Sequence, residues 1–140
     1  MTFYVSGVTF YVSGVTFYVS GVTFYSVQVG DAAKRQAVGR LPALVDWTAE
    51  LRDFADTAAL VSALDLVIAV DTSTGHVAGA VGKETWLMVP FLLDWRWLVG
   101  REDTPWYPAT TLFRQSSPGD WAGVVARVAE ALAARARGNR

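Results

Sequence analysis

The sequence predicts an α/β protein with a parallel sheet and helices on its faces, and three observations lead to this prediction. First, the run Leu66–Val70 is continuously apolar, which is typical of a strand buried on both faces of a parallel sheet, and Thr85–Val89 follows as the next buried strand. Second, an alanine- and leucine-rich stretch with helical spacing precedes the first run. Third, strands and helices alternate, which favours parallel strands joined by right-handed crossovers.

The composition excludes several classes of function. The chain has 140 residues, with 12 basic and 13 acidic side chains and a net charge of −1. This balance argues against nucleic-acid binding through phosphate neutralisation and against a polybasic membrane anchor. The sequence contains no cysteine and 1 histidine, which excludes disulfides, thiolate zinc sites and multi-histidine metal sites. We expect no metal and no cofactor.

A heptad repeat opens the chain. The unit Thr-Phe-Tyr-Val-Ser-Gly-Val fills residues 2–8, 9–15 and 16–22, and a broken fourth copy starts at Thr23. The unit is β-prone, and its recurring glycine, serine and threonine argue against a membrane span or signal peptide. We interpret the repeat as tandem duplication of one strand-encoding segment, with the fourth copy as the original strand. This gives residues 1–22 as a segment without an assigned function and 23–137 as the domain.

The elements of the first half follow from turn residues and apolar runs. The fourth copy continues as a strand over Val22–Val29, which ends at Gly30. The pattern then predicts a short helix over 31–38 behind Asp31, a strand over Leu44–Asp46, and a helix over Thr57–Leu64 capped by Asp56.

The second half continues the alternation. After the strand Leu66–Val70, a turn over 71–75 leads into a helix over His76–Val81, which Gly82 ends. The strand Thr85–Val89 is followed by a long loop, a short strand over Thr111–Arg114, and a helix of about 15 residues capped by Asp120.

The turn after Leu66–Val70 is the candidate ligand site. In open α/β sheets, ligands bind beyond the carboxyl ends of the strands. The turn reads Asp71-Thr72-Ser73-Thr74-Gly75 and leads to His76, so hydroxyl groups and the unpaired N–H groups of a helix start lie together, as a phosphate requires. The alternative is that Asp71 or Thr72 only caps the helix and that His76 is a polar surface residue.

Four stretches of the chain carry a resemblance to a known family. They are residues 24–28, residues 65–73 running on to 76–80, residues 86–90, and Asp94-Trp95-Arg96-Trp97 followed by 106–108 and 112–115. Over residues 23–132 the chain resembles the C-terminal half of a glycosyltransferase of family 9, the heptosyltransferase-like family. The similarity is to the form fused to tetratricopeptide repeats in bacteria.

The resemblance implies a GT-B enzyme, in which two Rossmann-like halves enclose the active site and the C-terminal half binds the nucleotide-sugar donor. It implies a role for the turn in holding the donor diphosphate and sugar, for Arg96 in contacting phosphate, and for Trp95 in forming an apolar wall. The donor-binding residues implied are Ser26, Gln28, Asp71, Thr72, Ser73, His76, Trp95 and Arg96.

The chain departs from the family pattern before its first strand, where the repeat stands in place of an acceptor-binding half. In GT-B enzymes the catalytic base commonly comes from that half. We therefore expect donor binding without transfer by this chain alone, and we assign no catalytic residue. The expected partners are a nucleotide diphosphate sugar and a separate acceptor-binding half or tetratricopeptide region. The expected location is the cytoplasm.

Other readings stay open. Trp95, Trp97, Trp106 and Tyr107 form either a stacking platform for a base or sugar or a cover for an apolar face toward an absent partner domain. The alternative to a donor-binding enzyme half is a non-catalytic fragment or self-associating structural protein driven by the β-prone repeat. A generic nucleotide binder ranks last, because the chain lacks a G-x-G-x-x-G motif.

Overall fold

The computed structural model describes residues 2–6, 22–27, 44–92 and 94–138. The described strands are β1 (Thr2–Ser6), β2 (Thr23–Ser26), β3 (Leu44–Asp46), β4 (Leu66–Val70), β5 (Thr85–Val89) and β6 (Thr110–Arg114). The described helices are α1 (Phe54–Ala63), α2 (Ser73–Ala80) and α3 (Trp121–Gly138), with a short 3-10 helix over Trp95–Trp97. The α/β class predicted from the sequence is confirmed.

The described strands form one sheet in which every neighbouring pair is parallel. The strand order is β3-β2-β1-β4-β5-β6. The chain builds outward from β1 to β3 and then resumes beside β1 with β4, so the direction of building reverses between β1 and β4. Such a reversal leaves a crevice beyond the carboxyl ends of the two central strands, where ligands bind in open α/β sheets.

Residues 2–6 of the first repeat copy lie inside the sheet. Strand β1 pairs with β2, the fourth copy, so that equivalent residues face each other: Thr2 with Thr23 and Phe3 with Phe24. On its other side β1 pairs with β4. The sequence predicts residues 1–22 as a segment ahead of the domain, whereas residues 2–6 of that segment are an internal strand.

Burial on both faces of β4 explains why it is continuously apolar. Leu66, Ile68 and Val70 pack on one side with Val124, Val125, Val128 and Leu132 of α3. Val67 and Ala69 pack on the other side with Val61 of α1 and Ala78 of α2. The helices therefore cover opposite faces of the sheet, as the βαβ alternation predicts.

Several predicted boundaries were wrong by a few residues. Helix α1 begins one turn earlier than predicted, at Phe54, and its cap is Asp53 rather than Asp56. Asp53 Oδ1 accepts from the Ala55 and Asp56 N–H groups at 2.8 and 2.9 Å, and Asp56 accepts from Arg52 N–H at 3.0 Å. The two carboxylates share the helix start, because each reaches a different unpaired N–H group.

The remaining elements differ in length from the predictions. Strand β2 ends at Ser26 rather than Val29, and β6 begins at Thr110 rather than Thr111. Helix α3 has 18 residues rather than about 15, and Asp120 Oδ1 accepts from Gly123 N–H at 2.9 Å. The hydrogen bond from the Ser116 hydroxyl, and after it the one from Gly123 N–H, lower the pKa of Asp120. The predicted helix over 31–38 and repeat residues 9–21 lie outside the described residues.

The cap of α1 gives a first testable prediction. Substituting alanine for Asp53 leaves two N–H groups of the first turn without their acceptor, so we expect the free energy of unfolding to fall by about 1 kcal/mol. Urea unfolding followed by circular dichroism measures the change. Asp53→Asn keeps an acceptor oxygen and should retain most of the stability; an equal loss in both variants would contradict the capping role.

Candidate functional site

The turn between β4 and α2 lies at the central crevice of the sheet. Val70 ends the buried strand, and Thr72 is the N-cap of α2 in extended backbone conformation. The Thr72 side chain makes no capping hydrogen bond, and its Oγ1 instead lies 3.4 Å from the Val70 carbonyl oxygen. The first-turn N–H groups of α2 therefore receive no acceptor from the N-cap side chain and keep their capacity for a ligand.

Asp71 joins this turn to a distant part of the chain. Its Oδ2 accepts a hydrogen bond of 2.8 Å from the indole Nε1 of Trp97, and its Oδ1 lies 3.5 Å from His76 Nε2. Trp97 is 1% exposed, so its indole N–H requires a buried partner. Asp71 supplies that partner and thereby fixes the residues after β5 over the start of α2.

His76 lies in the second turn of α2 between two aromatic residues. Its ring stacks on Trp97 with the centroids 5.5 Å apart and the planes 21° apart. Its Nδ1 lies 3.0 Å from the Tyr107 hydroxyl, and Tyr107 also meets the imidazole edge-on. The side chain remains 32% exposed. His76 is thus ordered by its neighbours and still open to solvent.

Two glycines of α2 permit these contacts. A Cβ at Gly75 would lie 2.7 Å from Leu87 Cδ1 of β5, and a Cβ at Gly79 would lie within 3.0 Å of three ring atoms of Tyr107. No side chain fits at either position without movement of its neighbour. Gly75 allows α2 to pack close to the sheet, and Gly79 leaves the space that the Tyr107 ring occupies.

The tryptophan loop, residues 94–107, carries the other aromatic residues near the site. Asp94 begins its 3-10 helix by accepting from Arg96 N–H at 3.0 Å, and the same carboxylate pairs with the Arg96 guanidinium at 3.0 Å. That guanidinium lies over the Trp95 ring at 5.7 Å. Trp95 meets Trp106 edge-on at 5.7 Å, and both indoles are more than half exposed. Together they form an open aromatic surface with a paired cation beside it.

Arg114 anchors the tryptophan loop to the edge of the sheet. Its guanidinium donates to the Arg101 carbonyl oxygen at 2.6 Å and to the Trp97 carbonyl oxygen. Burial lowers the pKa of Arg114, because removal from water disfavours the charged form. The carbonyl of Trp97 is therefore held by β6 while its indole is held by Asp71.

The structure brings together most of the residues predicted from the sequence. Asp71, Thr72, Ser73 and His76 lie along one turn, and Trp95 and Arg96 belong to the 3-10 helix whose Trp97 contacts that turn. Ser26 is buried at the end of β2, two strands from β4, or roughly 10 Å away at the usual strand spacing. Gln28 lies outside the described residues.

Sequence reasoning missed the roles of Trp97 and Tyr107. It treated both as part of an aromatic platform or cover, whereas they contact Asp71 and His76 directly. A signal for such a contact was present in Gly75 and Gly79, since two glycines four residues apart mark one helix face for close approach. The sequence spacing alone does not identify the residue that approaches.

The described residues contain neither a candidate metal centre nor a candidate membrane-spanning helix. No group of three or more histidine, cysteine, aspartate and glutamate side chains is placed to hold a metal ion in the described ranges. Within those same ranges, no helix combines the length and the apolar character needed to cross a bilayer.

Comparison with known proteins gives one partial match. Protein FlbA of Caulobacter vibrioides is 40% identical over 80 residues, a stretch that covers 57% of this chain and 13% of that protein. The match thus spans only a small part of that relative. No protein-family profile matches the chain, and no solved structure matches it.

Proposed function

We propose that this domain binds the diphosphate of a nucleotide-sugar donor, as the donor half of a GT-B glycosyltransferase of family 9. The observation that carries the proposal is the start of α2. Its N-cap side chain leaves the first-turn N–H groups to another acceptor, and it lies at the reversal of strand order between β1 and β4. The strand order is that of Rossmann folds, which bind their ligands in the crevice at this reversal, and a helix N-terminus that opens onto such a crevice suits an anion.

The neighbouring side chains suit such a ligand. Ser73 is exposed at the first position of α2, His76 is open to solvent, and the Arg96 guanidinium lies in the 3-10 helix attached to the turn by Trp97. Helix N–H groups and cations stabilise the negative charge of a leaving diphosphate. The resemblance of residues 23–132 to family 9 adds the sugar-transfer chemistry. Residues that deprotonate an acceptor belong to the other half of the enzyme.

Calorimetric titration of the full chain with nucleoside diphosphates and nucleotide sugars tests the proposal. We expect saturable binding by at least one of them. His76→Ala should lower the affinity about tenfold, because a hydrogen bond to a charged group contributes roughly 1.5–3 kcal/mol. Arg135→Ala is the matched control, since Arg135 pairs with Glu84, which precedes β5 and so lies at the amino-terminal end of the strands, opposite the crevice. Absence of binding by the folded chain, or equal affinity in His76→Ala, Asp71→Ala and the parent, would refute the assignment.

The second candidate function is association through an apolar face. Leu92, Val99 and Trp95, in or beside the tryptophan loop, are 80%, 85% and 67% exposed and support this candidate. Large exposed apolar patches mark interaction sites. Deleting the repeat is a poor test, since Thr2–Ser6 is an internal strand. Light scattering of the parent and of Leu92→Ser/Val99→Ser separates the two functions: association through this face predicts a lower mass for the variant, and a monomeric parent contradicts it.

A further inference from the structure

We propose that Tyr107 and Asp71 are positioning residues that hold the His76 ring in one orientation and one tautomer, with Nε2–H as its ligand-facing donor. The use of that donor for a phosphate oxygen rests on the proposed function. The positioning itself rests on geometry alone: the two ring nitrogens face different side chains, Asp71 from the turn after β4 and Tyr107 from the end of the tryptophan loop.

The two partners act on the ring in different ways. The negative charge of an ionised carboxylate attracts an N–H group and repels a nitrogen lone pair, so the nitrogen that faces Asp71 Oδ1, Nε2, carries the proton. In the neutral ring Nδ1 then accepts, and the Tyr107 hydroxyl, which can donate or accept, donates to it over 3.0 Å. Asp71 thus selects the tautomer, and Tyr107 fixes the orientation of the ring.

The Nε2 proton keeps capacity for a further acceptor. The separation of Nε2 and Asp71 Oδ1 is 3.5 Å, beyond the 2.7–3.2 Å of ordinary N–H···O hydrogen bonds. The Asp71 carboxylate is drawn instead toward the Trp97 indole, at 2.8 Å. Because the His76 side chain is 32% exposed, a phosphate oxygen at the start of α2 can reach this proton.

The surroundings of the ring keep it from turning over. Trp97 stacks on the His76 ring, and the Tyr107 ring packs directly against Gly79. Trp97 belongs to the 3-10 helix, whose two charged residues are Asp94 at the N-cap and Arg96. These two side chains pair with each other. Among the residues that the structure describes, Asp71 and Tyr107 are therefore the titratable groups that contact the His76 ring.

The tautomer can be observed directly, because His76 is the sole histidine of the chain. Long-range ¹H–¹⁵N correlation spectra of the labelled full chain at alkaline pH, where an imidazole is neutral, report which nitrogen carries the proton. We expect the Nε2–H form in the parent. In Asp71→Asn the amide oxygen can keep the Trp97 bond and turn its NH₂ group to the ring, so Nε2 becomes the acceptor and the tautomer inverts.

Tyr107→Phe removes only the hydroxyl and keeps the ring on Gly79. Because Asp71 remains, we expect the Nε2–H tautomer to persist in this variant. The ring loses the hydrogen bond that orients it, so the affinity for the nucleoside diphosphate that the parent binds should fall about tenfold. Tyr25→Phe is the matched control, because Tyr25 packs against the core on β2; it should change neither readout.

The outcomes separate this inference from the proposed function. An Nδ1–H tautomer in the parent, or an Nε2–H tautomer that persists in Asp71→Asn, would overturn the positioning role of Asp71. The expected spectra together with no binding of any nucleoside diphosphate would support that role and refute donor binding. Unchanged affinity in Tyr107→Phe, when the parent binds, would overturn the positioning role of Tyr107.

Discussion

Gly79→Ala is expected to destabilise the protein by about 2 kcal/mol, although alanine favours helix over glycine by about 1 kcal/mol. The sign is reversed by the Tyr107 ring, three atoms of which lie within 3.0 Å of the added Cβ. These atoms include Cγ, which does not move when the ring rotates about χ2, so the whole side chain or the backbone must shift to relieve the overlap. Overpacking of this kind typically costs about 1–3 kcal/mol, and displacement of the ring breaks its hydrogen bond to His76.

A double-mutant cycle isolates the cause of this loss. With Tyr107→Ala as background, the space above Gly79 is empty and the helix propensity of alanine should prevail, so Gly79→Ala becomes stabilising by up to about 1 kcal/mol. Gly138→Ala is the matched control, because nothing lies within 4 Å of a Cβ at this helical glycine of α3. Urea unfolding measures all the variants. A destabilisation that persists without the Tyr107 ring would show that Gly79 is required for another reason.

The same contact shows where sequence reasoning ends. Strands β4 and β5 were predicted with their exact bounds, because burial on both faces leaves a run of apolar residues with clear limits: Asp65 and Asp71 flank β4, and Glu84 and Pro90 flank β5. The starts of α1 and α2 were wrong by three residues. Several short polar residues near each helix start could serve as its N-cap. Which one does so depends on the local backbone geometry within one turn, which the sequence does not show.

The placement of the repeat could not be predicted at all. The first three copies are identical in sequence, so no local preference tells which copy joins the sheet. Pairing of β1 between β2 and β4 is a long-range choice. The heptad is compatible with it, because in parallel pairing equivalent residues of two copies can stand side by side.

The candidate site likewise has one part that the local sequence predicts and another part that only the fold shows. The turn from Asp71 to His76 was predicted from local sequence, because sheet ends and helix starts follow a general rule. Its partners Trp97 and Tyr107 are 26 and 31 residues away from the residues they contact. Local periodicity carries no information over such distances. Gly75 and Gly79 of α2 indicated that another part of the chain packs closely against this helix, but the sequence did not identify which part.

Ser73→Asp is expected to weaken binding of a nucleoside diphosphate at least about tenfold, while it stabilises the folded protein. The stabilising part follows from the helix dipole: the first turn of α2 contains no acidic residue, and a carboxylate there contributes about 0.3–1 kcal/mol. The weakening follows from the same position. The new charge occupies the place proposed for the diphosphate, and repulsion between charges a few ångströms apart in a polar site amounts to about 1–2 kcal/mol per pair.

The opposite signs of the two effects make this variant informative, because damage to the fold lowers stability and binding together. Ser117→Asp is the matched control: it adds the same charge at an exposed serine shortly before another helix, α3, and should leave the affinity unchanged. Calorimetric titration gives the affinity, and urea unfolding without ligand gives the stability. If the Ser73→Asp protein is more stable and binds as tightly as the parent, the start of α2 is only a helix start, and the diphosphate site must be sought elsewhere.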